Sequence, residues 1–242
     1  MTGGTGLGFK PAGIPMAAPS YGPGPYHFRG TRALMLIGPV EAEYARALLP
    51  PPLELLDDSI VIWTLMDCPD VTGIGPHNCA CPAIPCRYGD IVGQFVPFLF
   101  TSTEASLLCF REVHGWAAIL GETLIGQTGD GIIGSVTRNG ATVADISATI
   151  DGDQLIGAVP KTPTFLYKEI PSIDTESCDV SRLIATTSAL ENVALRTGTG
   201  QINFPAAGQL PFSALAPRQV GQALFGTWDD IYPETARIIH QY

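Results

Sequence analysis

Charge is scarce in this chain, and positive charge scarcer still. Asp, Glu, Lys and Arg make up 15% of the 242 residues, with 13 Lys plus Arg against 23 Asp plus Glu and a formal net charge of −10. Such a surface repels phosphate backbones, which argues against nucleic-acid binding. No run of about 18 apolar residues occurs, so no membrane-spanning helix is expected. Absent too are the Gly-x-Ser-x-Gly elbow, the His-Glu-x-x-His pair and the dinucleotide fingerprint of several large enzyme classes. The Gly-rich stretch from Gly126 to Gly131 lies between strand candidates with no helix after it, so it reads as a hairpin turn and not a phosphate cradle. Met1 to Ser20 lacks the basic start and apolar core of a signal peptide. With its Gly, Pro and Ala and a lone charge, Lys10, it reads as an irregular arm, and the protein as cytoplasmic.

Apolar residues make up 45% of the chain, enough for a sizeable core and too many for a disordered chain. The length suits one domain, placed at residues 21–242. The 27 Gly and 21 Pro imply many turns and few long helices. Ala33 to Ile37 reads as a short strand after a turn-like Gly24 to Arg32. Pro39 to Leu49 has helical spacing and stops at Pro50 to Pro52. Ser59 to Met66, His77 to Cys86 and Gly93 to Phe100 are extended. Thr103 to His114 reads as a helix with Thr103 as its N-cap. A meander follows through Thr123 to Thr128, Ile132 to Arg138 and Ala141 to Ile150. Phe165 to Ile170, Arg182 to Leu195 and Gln201 to Phe204 are further strands, and Ile231 to Gln241 fits strand or helix. The fold class is therefore mainly β (α+β), a closed antiparallel architecture with a few peripheral helices.

Of the six cysteines, Cys68, Cys79, Cys81 and Cys86 cluster around His77. Cys-x-Cys followed by a cysteine after Pro82 and Pro85 is not a zinc-knuckle spacing. Reduced, buried cysteines are expected, with no metal and no cofactor.

Several motifs in order give the chain a resemblance. They are Gly24-Pro25-Tyr26, Leu49-Pro50-Pro51-Pro52-Leu53-Glu54, Gly73-Ile74-Gly75 with Ala83-Ile84-Pro85, Arg111-Glu112, and Phe165-Leu166-Tyr167-Lys168-Glu169-Ile170-Pro171. Over nearly its whole length the chain resembles the acetoacetate decarboxylase family. The resemblance implies a cone-shaped, mostly antiparallel β-barrel around an apolar cavity, and commonly a homo-oligomer. It also implies a Schiff-base lysine after the Arg-Glu helix, with a second lysine beside it that lowers its pKa. This chain has Ala117, Ala118 and Ile119 there, and its only lysines are Lys10, Lys161 and Lys168. By the same counting, Thr31 stands in place of an arginine, and Thr64 and Cys79 in place of glutamates. An iminium electron sink is not expected without the amine.

What is expected instead is a non-Schiff-base enzyme that binds a small hydrophobic carbonyl-containing or polyene metabolite, polyketide-like in character. Its reaction would be a non-covalent cyclisation, isomerisation or elimination, driven by cavity shape or by hydrogen-bond donors on a carbonyl. The residues assigned to chemistry are His114, Glu112 and Arg111, since a histidine titrates near neutrality and a carboxylate can act as base. Thr31, Thr64, Cys79, Cys81, Trp116 and Ala118 are assigned to the pocket. Two alternatives stay open. One is a lysine-independent decarboxylase or hydrolase using His114, Glu112 or Cys79; the other is a barrel that binds a small ligand without turnover.

Overall fold

In a computed structural model the described residues are 18–56, 59–129, 131–154, 161–205, 215, 217 and 221–242. Most of the arm expected at Met1 to Ser20, including Lys10, lies outside them. No helix among the described residues is long and apolar enough to cross a membrane.

Strands dominate. They are β1 (Tyr26–Pro39), β2 (Glu54–Leu55), β3 (Ile60–Cys68), β4 (Asp70–Val71), β5 (His77–Tyr88), β6 (Ile91–Phe95) and β7 (Leu99–Thr101), then β8 (Ala118–Leu120), β9 (Glu122–Thr128), β10 (Gly131–Arg138), β11 (Ala141–Thr149), β12 (Thr164–Pro171), β13 (Cys178–Asn203) and β14 (Gly221–Gln241). The helices are α1 (Ala42–Leu48) and α2 (Glu104–Cys109), and a π-helical turn, Phe110–His114, continues α2. Hydrogen bonding runs in the order β12-β6-β5-β3-β1-β14-β13, and β12 also pairs with β13, which closes the path into a ring. The ring is antiparallel except where β12 meets β6. Strands β11, β10 and β9 continue outward from β13 as a meander.

Alternation assigns the two faces of the ring. In β3, Val61, Trp63 and Leu65 are fully buried in a core that also holds Val136, Ala144 and Ile146 of the meander. Gly134 of β10 packs so closely that an added Cβ would sit 2.7 Å from Leu65. Ile62, Thr64, Met66 and Cys68 face the other way, into the ring. Successive strand side chains point to opposite faces, so one apolar run serves both surfaces.

Some boundaries differ from the sequence expectations. The turn-like Gly24 to Arg32 belongs mostly to β1, because pairing with β14 takes up its backbone groups. A bulge between Phe28 and Thr31 accommodates Gly30 at φ 64°, a left-handed conformation that glycine adopts at little cost. Gly93 to Phe100 divides into β6 and β7 around Pro97, which has no N–H to give a ladder. The expected strands Arg182 to Leu195 and Gln201 to Phe204 merge into one long bulged strand, β13, as far as Asn203. The C-terminal segment is strand, not helix. Thr103 caps α2, its hydroxyl accepting from the Ser106 N–H.

Candidate functional site

The ring encloses a cavity of about 950 Å³. Each strand of the ring contributes to its wall, for example Phe28, Ile62, Cys79, Gln94, Thr164, Ser188 and Asp230. The bulge in β1 sets the phase of that strand, so Phe28, Thr31 and Met35 line the cavity while Arg32 points outward to Asp67 at 3.1 Å.

The expected pocket residues Thr31, Thr64, Cys79, Cys81 and Trp116 line the cavity. Ala118 is buried in the adjoining apolar cluster and takes part in the parallel β7–β8 pairing opposite Leu99. It is not among the lining residues. Thr31 is 1% exposed and its hydroxyl has no partner among the described residues. The Trp116 indole N–H donates to the Tyr232 hydroxyl at 2.8 Å, which donates to Thr186 at 3.2 Å.

The three residues expected to carry chemistry do not line the cavity. Arg111 donates to the Ala118 carbonyl at 3.2 Å. Glu112 accepts from the Tyr21 hydroxyl at 2.6 Å. His114 is buried behind Tyr232, with ring centroids 4.9 Å apart, and has Tyr26 on another side. Burial, helped by the nearby Lys168 ammonium, lowers its pKa to about 4, so at neutral pH it is an uncharged packing residue. The reason is local. The chain turns sharply at Gly115, where φ is 79° and an added Cβ would meet Lys168. The π-helical turn therefore puts only its first residue, Phe110, on the wall, and Trp116 is the next side chain to reach it. Lys168 closes that turn by donating to the Glu112 and Val113 carbonyls, an interaction favoured at a helix C-terminus.

Of the other lysines, Lys161 lies on the cavity margin, largely exposed and ion-paired with Glu234 at 2.7 Å. Solvent and a carboxylate are the opposite of the desolvated setting that activates a lysine amine. Cys79 and Cys81 are poor nucleophiles in this state. A hydrogen bond to Cys68, then burial, raises the Cys79 thiol well above its ordinary value, and burial pushes Cys81 up to about 12.

Strand β14 brings residues to the site that the sequence analysis missed. Trp228, Asp230 and Tyr232 share one face and line the cavity. Asp229 points outward, accepting from the Gly30 N–H at 2.7 Å. Asp230 keeps one buried carboxylate oxygen, Oδ1, without a partner among the described residues. Burial raises its pKa to about 6, against the lowering effect of the Ser188 hydroxyl and the Ile231 N–H. The legible signal was period-two spacing: an aspartate between a tryptophan and a tyrosine in a segment otherwise fit for a strand. A second cluster, Cys68, His77 and Cys79, brings donor atoms within 4.8 Å of one another, a set with the chemistry to hold a thiophilic metal.

The family model for acetoacetate decarboxylase matches residues 13–241. The chain belongs to the acetoacetate decarboxylase family. It is 23% identical to an acetoacetate decarboxylase of Clostridium beijerinckii over 233 residues, 94% of each chain. It is 28% identical to acetoacetate decarboxylase 3 of Mesorhizobium japonicum over 185 residues, 74% of this chain and 72% of the relative. Among solved structures, acetoacetate decarboxylase of Legionella pneumophila superposes with a TM-score of 0.86 at 24% identity, covering 96% of this chain and 95% of the other. The enduracididine biosynthesis enzyme MppR, bound to the condensation product of pyruvate and imidazole 4-carboxaldehyde, superposes with a TM-score of 0.80 at 19% identity, covering 98% and 99%. The family supplies an enzyme fold, and the residues of this cavity bear on the chemistry.

Proposed function

We propose that this protein is a cavity enzyme that moves a proton on a mainly apolar, carbonyl-bearing small molecule without forming a Schiff base. The observation that carries the reading is the buried Oδ1 of Asp230, without a partner among the described residues, in a mainly apolar wall. A carboxyl group with a pKa of about 6 is mostly ionised at neutral pH, yet able to hold a proton during a reaction. Thr31 pairs with Trp228 while Asp230 pairs with Phe28, the two pairs flanking the bulge, so a free hydroxyl stands diagonally across from the carboxylate. In this reading the Thr31 O–H donates to the ligand's carbonyl oxygen, and Asp230 takes a proton from the adjacent carbon. Developing enolate charge is met by the threonine donor. The proton then returns to a conjugated carbon, giving isomerisation, or a β-leaving group departs, giving elimination.

The test needs no identified substrate. A panel of saturated and α,β-unsaturated ketones is incubated with the protein in D2O, and exchange at the carbon next to the carbonyl is followed by NMR. The expected result is catalysed exchange that rises with pH through about 6 and is lost in Asp230→Asn. Borohydride with the same panel should leave the protein's mass unchanged. A covalent adduct at Lys168 or Lys161 would overturn the reading. Turnover that survives Asp230→Asn but is abolished by a bulky residue at Met35 or Thr64 would instead favour ring closure directed by cavity shape. Saturable binding without exchange or product would make the barrel a carrier.

A further inference from the structure

In the hairpin formed by β3 and β5, Cys68 lies directly opposite His77, and Met66 opposite Cys79. Residues two apart on a strand share a face, so Cys68, His77 and Cys79 form a compact triangle on the inner face of this hairpin. All three are at least nineteen-twentieths buried, with exposures of 1%, 3% and 3%. Their donor atoms lie within 4.8 Å of one another. A tetrahedral zinc ion with Zn–S of about 2.3 Å and Zn–N of about 2.0 Å asks for donors roughly 3.5–3.8 Å apart. Side-chain rotation covers that difference.

The imidazole is arranged for such a role. His77 Nδ1 lies 3.0 Å from the Gly75 carbonyl oxygen, a contact that a protonated Nδ1 satisfies. That places the ring's lone pair on Nε2, which is buried and has no partner among the described residues. A backbone carbonyl on the second ring nitrogen is the usual support of a metal-bound histidine. Phe28 and Phe110 flank the ring edge-on, at centroid distances of 5.9 and 5.6 Å, and hold its orientation. Cys68 and Cys79 line the cavity, whereas His77 does not. The triangle therefore lies in the wall, with its sulfurs toward the enclosed space.

We propose that Cys68, His77 and Cys79 form a zinc site in the cavity wall, with a fourth coordination position open to the cavity. Two thiolates and one imidazole suit a borderline-soft ion, and three protein ligands plus an open position is the pattern of zinc sites that engage a ligand. On binding, the two thiols give up their protons to solvent and the neutral imidazole donates its Nε2 lone pair. The dication is balanced by two thiolates, so the wall gains no net charge. A carbonyl oxygen in the cavity is the class of ligand that the open position would take. The inference rests on cross-strand register and does not require proton transfer by Asp230.

The test uses the full chain, reduced under inert atmosphere and titrated with Co2+ as a spectroscopic substitute for Zn2+. The expected result is one ion per chain, with a thiolate-to-cobalt charge-transfer band and the visible bands of a tetrahedral ion. Zinc should displace it. Cys68→Ser and Cys79→Ser should each weaken zinc binding by about 100-fold or more, and Cys178→Ser, an exposed cysteine, should not. X-ray absorption on the wild-type zinc protein, which needs no variant to fold, should show two sulfur and one imidazole scatterer plus one light atom. Absence of the cobalt bands in reduced wild type would overturn the proposal. So would bands that persist in the Cys68→Ser, Cys79→Ser double variant, or a first shell without sulfur.

Discussion

Along β3, Val61, Trp63 and Leu65 have no solvent exposure, whereas Ile62, Thr64 and Met66, each one residue away, border an open cavity. The outer face is filled because the meander lies against it. The inner face is left partly empty because the ring of strands closes around more space than its side chains fill. The same alternation thus yields a close-packed layer on one side, where stability resides, and a wall on the other, where polar groups survive without partners. Among the described residues, Thr31 and Asp230 carry buried polar atoms without partners on the cavity wall and His77 carries one just behind it, while Arg32, His114, Thr123 and Arg182 carry others away from the lining. An unpaired buried polar atom costs roughly 1–3 kcal/mol, which the filled outer face offsets.

The strongest way to sharpen this contrast is Trp63→Ala. Trp63 packs against Phe98 and Phe204 and donates to the Leu215 carbonyl at 2.8 Å. Its truncation should lower stability by about 3–5 kcal/mol, read from denaturant unfolding. A loss near that of an inner-face substitution would break the comparison.

Next come two buried titratable groups with opposite signs. His114 has a folded pKa of about 4 against an ordinary 6.5. Below pH 6.5 the unfolded chain takes the proton first, so this group's share of stability is lost as pH falls toward 4. Asp230 has a folded pKa of about 6 against 3.8. Below pH 6 the folded chain holds the proton first, so stability is gained as pH falls toward 3.8. Each effect is on the order of 3 kcal/mol, and between pH 4 and 6 they largely cancel. His114→Phe should therefore leave a protein that becomes more stable on mild acidification. Asp230→Asn should leave one that becomes less stable. Chemical unfolding at stepped pH measures both, and parallel profiles for the two variants would count against the assignment.

Smaller effects follow. Thr103→Ala removes the cap of α2 and should cost about 1 kcal/mol, seen as a modest fall in Tm. Met66→Ala, on the cavity wall, should cost about 1 kcal/mol or less, because the space it opens joins an existing void. It should change which ketones bind.

Much of the fold was legible because it is written in local patterns. The meander followed from short apolar runs between Gly, Asn and Asp turns, and α2 from Thr103 ahead of an apolar periodic run. The family motifs carried the barrel. The counting that brought Thr31, Thr64 and Cys79 to attention also named residues that the structure places on the wall. Other features escaped the pattern. Asp230 sits beside Asp229 in sequence, and only strand phase separates the inward carboxylate from the outward one. The cysteine spacing was read along the chain, from Cys79 through Cys81 to Cys86. The cluster that forms instead joins Cys68 to His77 across a hairpin. His114 and Glu112 look catalytic by type, but the left-handed turn at Gly115 leaves them behind the wall.

By itself the sequence determined alternation, turns and caps, since each depends on residues close along the chain. Tertiary structure alone decided which face became the inside. Pairing of β12 with β13 closes the ring, and a bulge in β1 sets the phase of Thr31. The physical reason is that a strand's two faces are equivalent until a partner covers one of them. A shift of one residue in register exchanges the faces completely.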